Sequence, residues 1–408
     1  LNLLTRAVRE TALALGPHEL PCYIYDLDAL RQHAATVRAA LPESVELYYA
    51  AKANPDTEIL RTLAPFTDGF EVSSGGELAH AAATVHGQPL AFGGPGKTPE
   101  EIAAALTAGV RRFHVESLHE LRLLARLASR HHREPAATPR VLLRFNPPLS
   151  ADALAGSALA MGGRPTPFGM NTAEVAEAMG MFARHELQGL ELAGLHAHLA
   201  SGLGAGAQLA LTGEVAAGAT ELAARCGVRL RELTVGGGMA VDYSRPASRF
   251  DWPSFGAGLA RLAERHPGPV LRIEPGRALT AYCGWYATEV LDVKSSHGEE
   301  FAVVRGGTHH LRTPAAKGHD QPAEVLPVER WPHPLPRPAA RGGHVSFTGQ
   351  LCTPKDVLAR GVPAPGLRAG DRVVFALAGA YAWNISHHDF LMHPRPGCRY
   401  LHPPEPAL

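Results

Sequence analysis

A lysine at the end of an apolar run is the first residue whose type and place suggest chemistry. The run Glu46–Ala53 closes on Tyr49-Ala50-Ala51-Lys52-Ala53, with Asn54-Pro55 behind it. Such a lysine either snorkels, stem buried and ammonium in water, or is desolvated enough to lose its proton and form an imine with a carbonyl. A second run ends in Thr234-Val235-Gly236-Gly237-Gly238. Three glycines let backbone N–H groups approach an anion closely, although a plain tight turn has the same composition. A third ends in Arg272-Ile273-Glu274-Pro275-Gly276-Arg277, which offers one carboxylate and a second anion contact; alone it reads equally as a surface salt bridge. In a fourth, Gly194 to Gly202, His196 and His198 have the same parity and so share one face of a strand. A two-His metal site is the rival reading there. It lacks a third ligand at helical spacing, so no metal is expected. A flat imidazole against an aromatic cofactor, with Ser201 beyond it on a phosphate, fits better.

These residues need elements to hold them, and the chain has a rhythm that supplies them. The runs Glu46–Ala53, Gly69–Ser74, Pro89–Gly94, Arg112–Ser117, Val141–Pro147, Leu192–Ser201, Glu232–Gly238 and Val270–Gly276 read as strands. Most are followed by an amphipathic stretch, the pattern of a parallel sheet covered by helices. Helix starts agree: Thr98-Pro99-Glu100-Glu101, Ser117 with Glu120, and Asn171 with Glu174 are capping boxes. Asp26 opens a helix with Leu27, Leu30, Val37 and Leu41 on one face. Eight such units predict a TIM (β/α)8 barrel; an open doubly wound sheet is the alternative. The chemistry-bearing residues then fall at the C-terminal ends of strands one, six, seven and eight, where barrels place their active sites. Imine-forming lysine, stacking ring, phosphate cradle and ring-nitrogen acid, in that arrangement, are what pyridoxal 5'-phosphate requires.

After Leu279 the helical pattern fades. Gly284–Val293, Glu300–Arg305, His344–Thr348 and Arg372–Leu377 read as strands of a mostly β domain. The expected organisation is an N-terminal segment 1–22 packing on that domain, a barrel over 23–279 and a β domain over 280–408. Pro322 to Pro338, with six prolines, is read as a loop without secondary structure, and Ala151–Pro165 as a small-residue loop on the catalytic face. The 39 Lys+Arg cancel the 39 Asp+Glu, so no basic excess is available for nucleic acid. No apolar run is of spanning length, so no membrane is expected. Five cysteines, far apart and without a CxxC pair, suit a reducing cytoplasm.

On these motifs the chain resembles the fold-type III pyridoxal-phosphate decarboxylases, the diaminopimelate, ornithine and arginine decarboxylase group. Tyr49-Ala50-Ala51-Lys52-Ala53-Asn54 is similar to the family's cofactor-lysine motif, and Glu71 with Ser74-Gly75-Gly76-Glu77-Leu78 to that on its second strand. His198 and Ser201 are similar to the stacking histidine and phosphate serine, Gly236, Gly237 and Gly238 to the phosphate glycines, and Glu274 with Gly276 and Arg277 to the ring-nitrogen acid and its neighbours. Gly349-Gln350-Leu351-Cys352 is similar to the segment whose cysteine crosses a dimer interface, and Gly379-Ala380-Tyr381 to that of a tyrosine near the phosphate. The resemblance implies an alanine-racemase/ornithine-decarboxylase-like barrel plus β domain, and a homodimer with shared sites. It makes Lys52 and Cys352 the catalytic pair, Cys352 as the acid that protonates the product carbon. It also favours a decarboxylase over the racemases of this fold, which carry arginine at the position of Glu274.

Thr353 departs from the family. An acid commonly follows the cysteine and reads the distal amine of lysine- or ornithine-like substrates. Gly306-Gly307-Thr308-His309-His310-Leu311-Arg312, Lys317 and Asn384-Ile385-Ser386-His387-His388 instead supply donors for carboxylates. His309, His310, Arg312 and Thr353 are the candidate substrate contacts. The wording Thr308-His309-His310 with Cys352-Thr353-Pro354-Lys355-Asp356 resembles a branch that decarboxylates citryl-diaminopropionate intermediates of siderophores built from citrate. A diaminopimelate or other basic amino-acid decarboxylase is one alternative, and a non-catalytic cofactor-binding homologue with a regulatory role is another.

Overall fold

The computed structural model describes residues 3–130, 138–150, 154 and 156–402. They form two compact units, the first made of His33–Ala240 with Phe250–Leu279. In it, parallel strands Val45–Ala50, Gly69–Val72, Leu90–Phe92, Arg112–Val115, Arg140–Arg144, Glu191–His196, Glu232–Thr234 and Val270–Ile273 close into a barrel. Strand eight returns to strand one with Leu271 opposite Val45. These are the eight expected runs, each cut short where the backbone leaves the ladder to form a loop. The helix starts follow the capping signals. Thr98 with Glu101 and Asn171 with Glu174 form complete boxes. Ser117 accepts from the Glu120 N–H, but the Glu120 carboxylate takes the N–H of Glu116, leaving that box half closed. Of the expected loop 151–165, residues 151–153 and 155 lie outside the described residues; Leu159–Ala160 pairs with Ala200–Ser201 as a short ribbon.

Side chains two residues apart on a strand point the same way. Here that periodicity sends polar residues into the barrel, where aliphatic layers are usual. Arg272 is fully buried. Its guanidinium donates to Glu46 at 2.5 and 2.8 Å, to Glu232 at 2.8 Å and to the Thr234 hydroxyl at 3.1 Å. Arg112 adds bonds to Glu232 at 2.9 Å and to the Tyr48 hydroxyl at 2.8 Å. Burial alone would raise the Glu232 pKa, but Arg272 and Arg112 hold it down to about 2. A carboxylate depressed on folding contributes stability in full above its unfolded value of ~4.3 and loses it as pH falls through the folded value. Glu232→Gln strands part of a buried arginine network and is expected to cost ~3–5 kcal/mol. Urea unfolding at neutral pH measures this; a loss of a few tenths would contradict it.

The second unit comprises Leu1–Gln32, Val241–Arg249 and Thr280–Leu408. Its sheet runs Ala323–Leu326, Arg372–Phe375, Gly284–Ser296, Glu299–Val304, His344–Thr348, Val357–Pro363 in order. Cys22–Asp26 pairs antiparallel with Gly284–Ala287 and parallel with Gly397–Leu401. The boundary expected at residue 23 therefore moves to 33, because the strand at 22–26 finds its partners in the β unit. Ala323–Leu326 corrects the reading of Pro322 to Pro338 as structureless. Pro322 and Pro327 flank these four residues, whose N–H groups remain free to pair with Arg372–Phe375. Helix Arg6–Ala14 packs Leu4, Val8, Ala12 and Leu15, spaced as one helical face, against Trp285, Leu326 and Val374.

Candidate active site

Lys52 sits in a single 3-10 turn, Ala51–Ala53, that ends barrel strand one. Ala51 and Ala53 are buried, and the Tyr49 hydroxyl donates to the Asn54 carbonyl at 3.1 Å, which fixes the turn from both sides. The Lys52 Nζ donates to Glu71 Oε2 at 2.5 Å, and the Ser73 hydroxyl to Glu71 Oε1 at 2.7 Å. Burial works against the Glu71 charge, yet Lys52 and these bonds hold its carboxyl below the usual range.

Strand eight places Glu274 at the same level, buried, with its N–H on the Gly236 carbonyl at 2.8 Å. His196, ending strand six, puts Nε2 3.1 Å from Glu274 Oε2. His114, in strand four, puts Nε2 3.6 Å from Glu274 Oε1 and stacks on His196 with ring centroids 4.1 Å apart. Glu274 Oε1 has no hydrogen-bond partner among the described residues. Burial pushes the Glu274 carboxyl up and both imidazoles well down. His198 lies past the end of its strand, where parity with His196 no longer holds. It accepts the Gly237 N–H on Nδ1 at 3.2 Å, so its own proton sits on Nε2. Burial, then the charges of Lys52 and Arg144, push it down to about 3, leaving a neutral ring.

Gly236 and Gly238 have φ of +66° and +99°. A Cβ at Gly236 would meet His198 Nδ1 at 2.5 Å, one at Gly237 the Glu274 carbonyl at 2.3 Å, and one at Gly238 the Ala200 carbonyl at 2.2 Å. Only glycine allows this close crossing of strand ends, and Ser201 and Gly202 lie on the same crossing through the Gly202 N–H to the Gly238 carbonyl at 2.7 Å.

The family model for the pyridoxal-binding domain of pyridoxal-dependent decarboxylases matches residues 27–281. The chain belongs to this family. The decarboxylase is 36% identical to the 2-[(L-alanin-3-ylcarbamoyl)methyl]-2-hydroxybutanedioate decarboxylase of Staphylococcus aureus, over 94% of both chains. It is 34% identical to a diaminopimelate decarboxylase of Actinosynnema pretiosum, over 93% of this chain and 83% of the relative. Among solved structures, diaminopimelate decarboxylase from Helicobacter pylori in complex with L-lysine superposes with a TM-score of 0.80 at 24% identity, covering 94% of this chain and 92% of that one. That likeness establishes the fold. The enzyme is a pyridoxal-phosphate-dependent carboxy-lyase, and the barrel residues fit the cofactor. The partnerless Glu274 Oε1 can receive a ring N–H, and Gly236–Gly238 carry no side chains that would keep an anion from the backbone.

Sequence reasoning missed three buried residues of this barrel face: His114, Glu116 and Arg144. Arg144 donates to Glu116 at 2.5 Å, and its guanidinium lies 4.8 Å from the Phe168 ring. Arg112, His114 and Glu116 alternate with Phe113 and Val115, a polar-in pattern that could have signalled them.

The remaining candidates lie in the β unit. Asp356, buried, accepts from the Thr308 N–H at 2.6 Å, the Thr308 hydroxyl at 2.8 Å and the Leu351 N–H at 2.8 Å. Gly306 and Gln350 exchange two further bonds at 2.7 and 2.8 Å. The loop 306–312 and the segment 349–356 are thus joined, with Cys352 exposed. Arg312 is exposed, and its N–H donates to the Ser386 hydroxyl at 3.2 Å. His310 is not placed to meet a substrate. Its ring nitrogens are taken by the Tyr286 hydroxyl at 3.0 Å and the Pro394 carbonyl at 2.9 Å, and burial pushes it down to about 3. His309 is wholly buried, both ring nitrogens without hydrogen-bond partners among the described residues. Tyr381 holds φ of +50°, left-handed for a non-glycine residue, and its carbonyl accepts from the Thr313 hydroxyl.

Proposed function

We propose that this enzyme decarboxylates a carboxylate-rich amide in which diaminopropionate is joined to a citrate-like acid. The observation that carries the reading is the match, along 94% of both chains, to the S. aureus decarboxylase whose substrate has that chemistry. Thr353, where an acid would serve a distal ammonium, supports it. Diaminopimelate is the second reading, favoured by the relative at 34% identity. Measuring CO2 release from the citryl amide, diaminopimelate, lysine, ornithine and arginine decides between them; faster turnover of lysine or ornithine than of any polycarboxylate would overturn both.

Pyridoxal phosphate, when bound, would supply an aldehyde for covalent attachment and a ring that takes up the electron pair left on the substrate carbon when CO2 departs. On this reading Lys52 is the point of attachment and Glu71 keeps its amine in place. Glu274 would partner the ring nitrogen, and His198 would offer its neutral imidazole to the ring. Gly236, Gly237, Gly238, Ser201, Gly276, Arg277 and Tyr381 hold the phosphate, and Cys352 delivers a proton to the product carbon. We place the enzyme in the cytoplasm as a homodimer with shared sites. None of the described helices is long and apolar enough to cross a membrane.

Two predictions test the β-unit assignments. Arg312 is the exposed cation of its loop, so a charge-assisted contact to a substrate carboxylate is its expected role. Arg312→Ala should raise KM for the polycarboxylate ~10-fold and leave cofactor affinity unchanged, and Thr353→Asp should weaken the same substrate by repulsion. An unaltered KM in Arg312→Ala removes that contact. If sites are shared, mixing inactive Lys52→Ala and Cys352→Ala protomers should restore part of the activity, because a mixed dimer retains one site with both residues. Mixed dimers as inactive as their parents would contradict sharing.

A further inference from the structure

Barrel cores are built in layers, each filled by side chains from alternate strands. Strands two, four, six and eight here contribute Glu71, His114, His196 and Glu274 to the catalytic end, and all four are buried. Two carboxylates and two imidazoles thus replace the aliphatic residues that usually fill such a layer. Lys52 answers the charge of Glu71. Glu274 has no cation at hydrogen-bond distance among the described residues; its nearest polar neighbours are the two imidazoles.

We infer that His114 and His196 are positioning residues that clamp the Glu274 carboxylate in one orientation, with one oxygen left for the cofactor's ring nitrogen. The inference rests on the assignment of Glu274 to that nitrogen. A buried carboxylate without donors loses its charge or its order. His196 supplies one donor, since Nε2 at 3.1 Å from Oε2 can only hold an ionised carboxylate as N–H. His114 approaches the other oxygen at 3.6 Å, too long for a hydrogen bond, and so leaves Oε1 available. The stack, with ring planes 20° apart, fixes each imidazole against the other. Lys97, its side chain buried, donates to the His114 carbonyl at 2.8 Å, to the Gly94 carbonyl at 2.7 Å and to Glu120 at 2.7 Å, which anchors the strand carrying His114. Lys52, Arg144 and Arg272 stand near enough to oppose a positive charge on the rings. The pair therefore stays neutral, with His196 as the donor and His114 as the ring packed against it.

The test uses holoenzyme loaded with cofactor labelled with 15N in its ring. The 15N shift reports whether the ring nitrogen is protonated, and dialysis with fluorescence gives cofactor affinity. His196→Phe keeps a flat ring but removes the donor. It should move the shift toward the unprotonated value and weaken cofactor binding ~10-fold or more. His196→Gln, which keeps an N–H, should recover most of both, and His114→Phe should show a smaller change in the same direction. Glu274→Gln is the reference. If it moves the shift and both Phe variants leave shift and affinity as in the parent, the clamp is wrong and the Glu274 assignment stands. If Glu274→Gln leaves the shift unchanged, that assignment falls and the clamp with it. A measurement on the unaltered enzyme covers variants that fail to fold: long-range 1H–15N spectra must place the His196 proton on Nε2, and a proton on Nδ1 alone overturns the inference. The same three groups lie within 4.8 Å of one another, close enough to share a cation. Stoichiometric zinc binding by the cofactor-free protein, abolished by both Phe variants, would also overturn it.

Discussion

Lys52→Ala is expected to abolish turnover while pyridoxal phosphate still binds, held reversibly by its phosphate. The turn that carries Lys52 is anchored by buried Ala51 and Ala53 and by the Tyr49 hydroxyl, none of which the substitution touches. The barrel should therefore remain folded, and the loss should be chemical. Alanine has no amine to attach the cofactor or to release the product from it. There is also a cost to stability. Glu71 owes its depressed pKa to Lys52 and Ser73, set against burial. That contribution is present above the unfolded carboxylate value and fades as pH falls through the folded one. In Lys52→Ala it shrinks, so the variant should lose stability at neutral pH and little at low pH. Borohydride reduction followed by peptide mapping gives the decisive check. Covalent cofactor on a lysine other than Lys52 in the unaltered enzyme would defeat the assignment.

The barrel was legible in the sequence because most strands are short apolar runs closed by a turn signal, and most helix starts carry a side-chain cap. The β unit was less so, for a physical reason. Cys22–Asp26 is buried throughout, but its partners lie some 260 and 375 residues further along the chain, at Gly284–Ala287 and Gly397–Leu401. Nothing local distinguishes it from the barrel that follows. Gly397–Leu401 went unread for the same cause, and Ala323–Leu326 because its flanking prolines mask it, whereas Val357–Pro363 went unread although its partner, His344–Thr348, is near in the chain. Within the site, residues at strand ends stood out: a lysine after an apolar run, a triple glycine, a glutamate before Pro-Gly. His114 did not, because a polar residue inside a strand reads as facing water. Only closure of the barrel turns that face inward. His309 and His310 show the converse. Their composition suggested an anion site, and the fold buries both.

Glu274→Gln is expected to slow decarboxylation by ~10^2–10^3, the usual scale for losing one preorganised charge contact, while the fold and covalent attachment persist. Glutamine is nearly isosteric and can still meet the His196 N–H through its carbonyl oxygen. What it lacks is the negative charge that keeps a ring nitrogen protonated, and with it the ring's capacity to take up electrons. A second consequence concerns the protein without cofactor. Burial, with Glu71 adding to it, raises the Glu274 carboxyl above its usual range. An acid whose pKa is raised on folding binds more protons in the folded state than in the unfolded one. Stability then falls as pH rises from the unfolded value through the folded one. Removing that acid removes the penalty, so cofactor-free Glu274→Gln should be more stable than its parent at neutral pH and no more stable near pH 4. Opposite signs in the two assays, slower catalysis and firmer folding, are what a carboxylate kept in the core for its chemistry should give. Turnover close to the parent's would rule out the charge on Glu274 as part of the reaction. Lower stability of the cofactor-free variant at neutral pH would show that Glu274 serves to hold the barrel together.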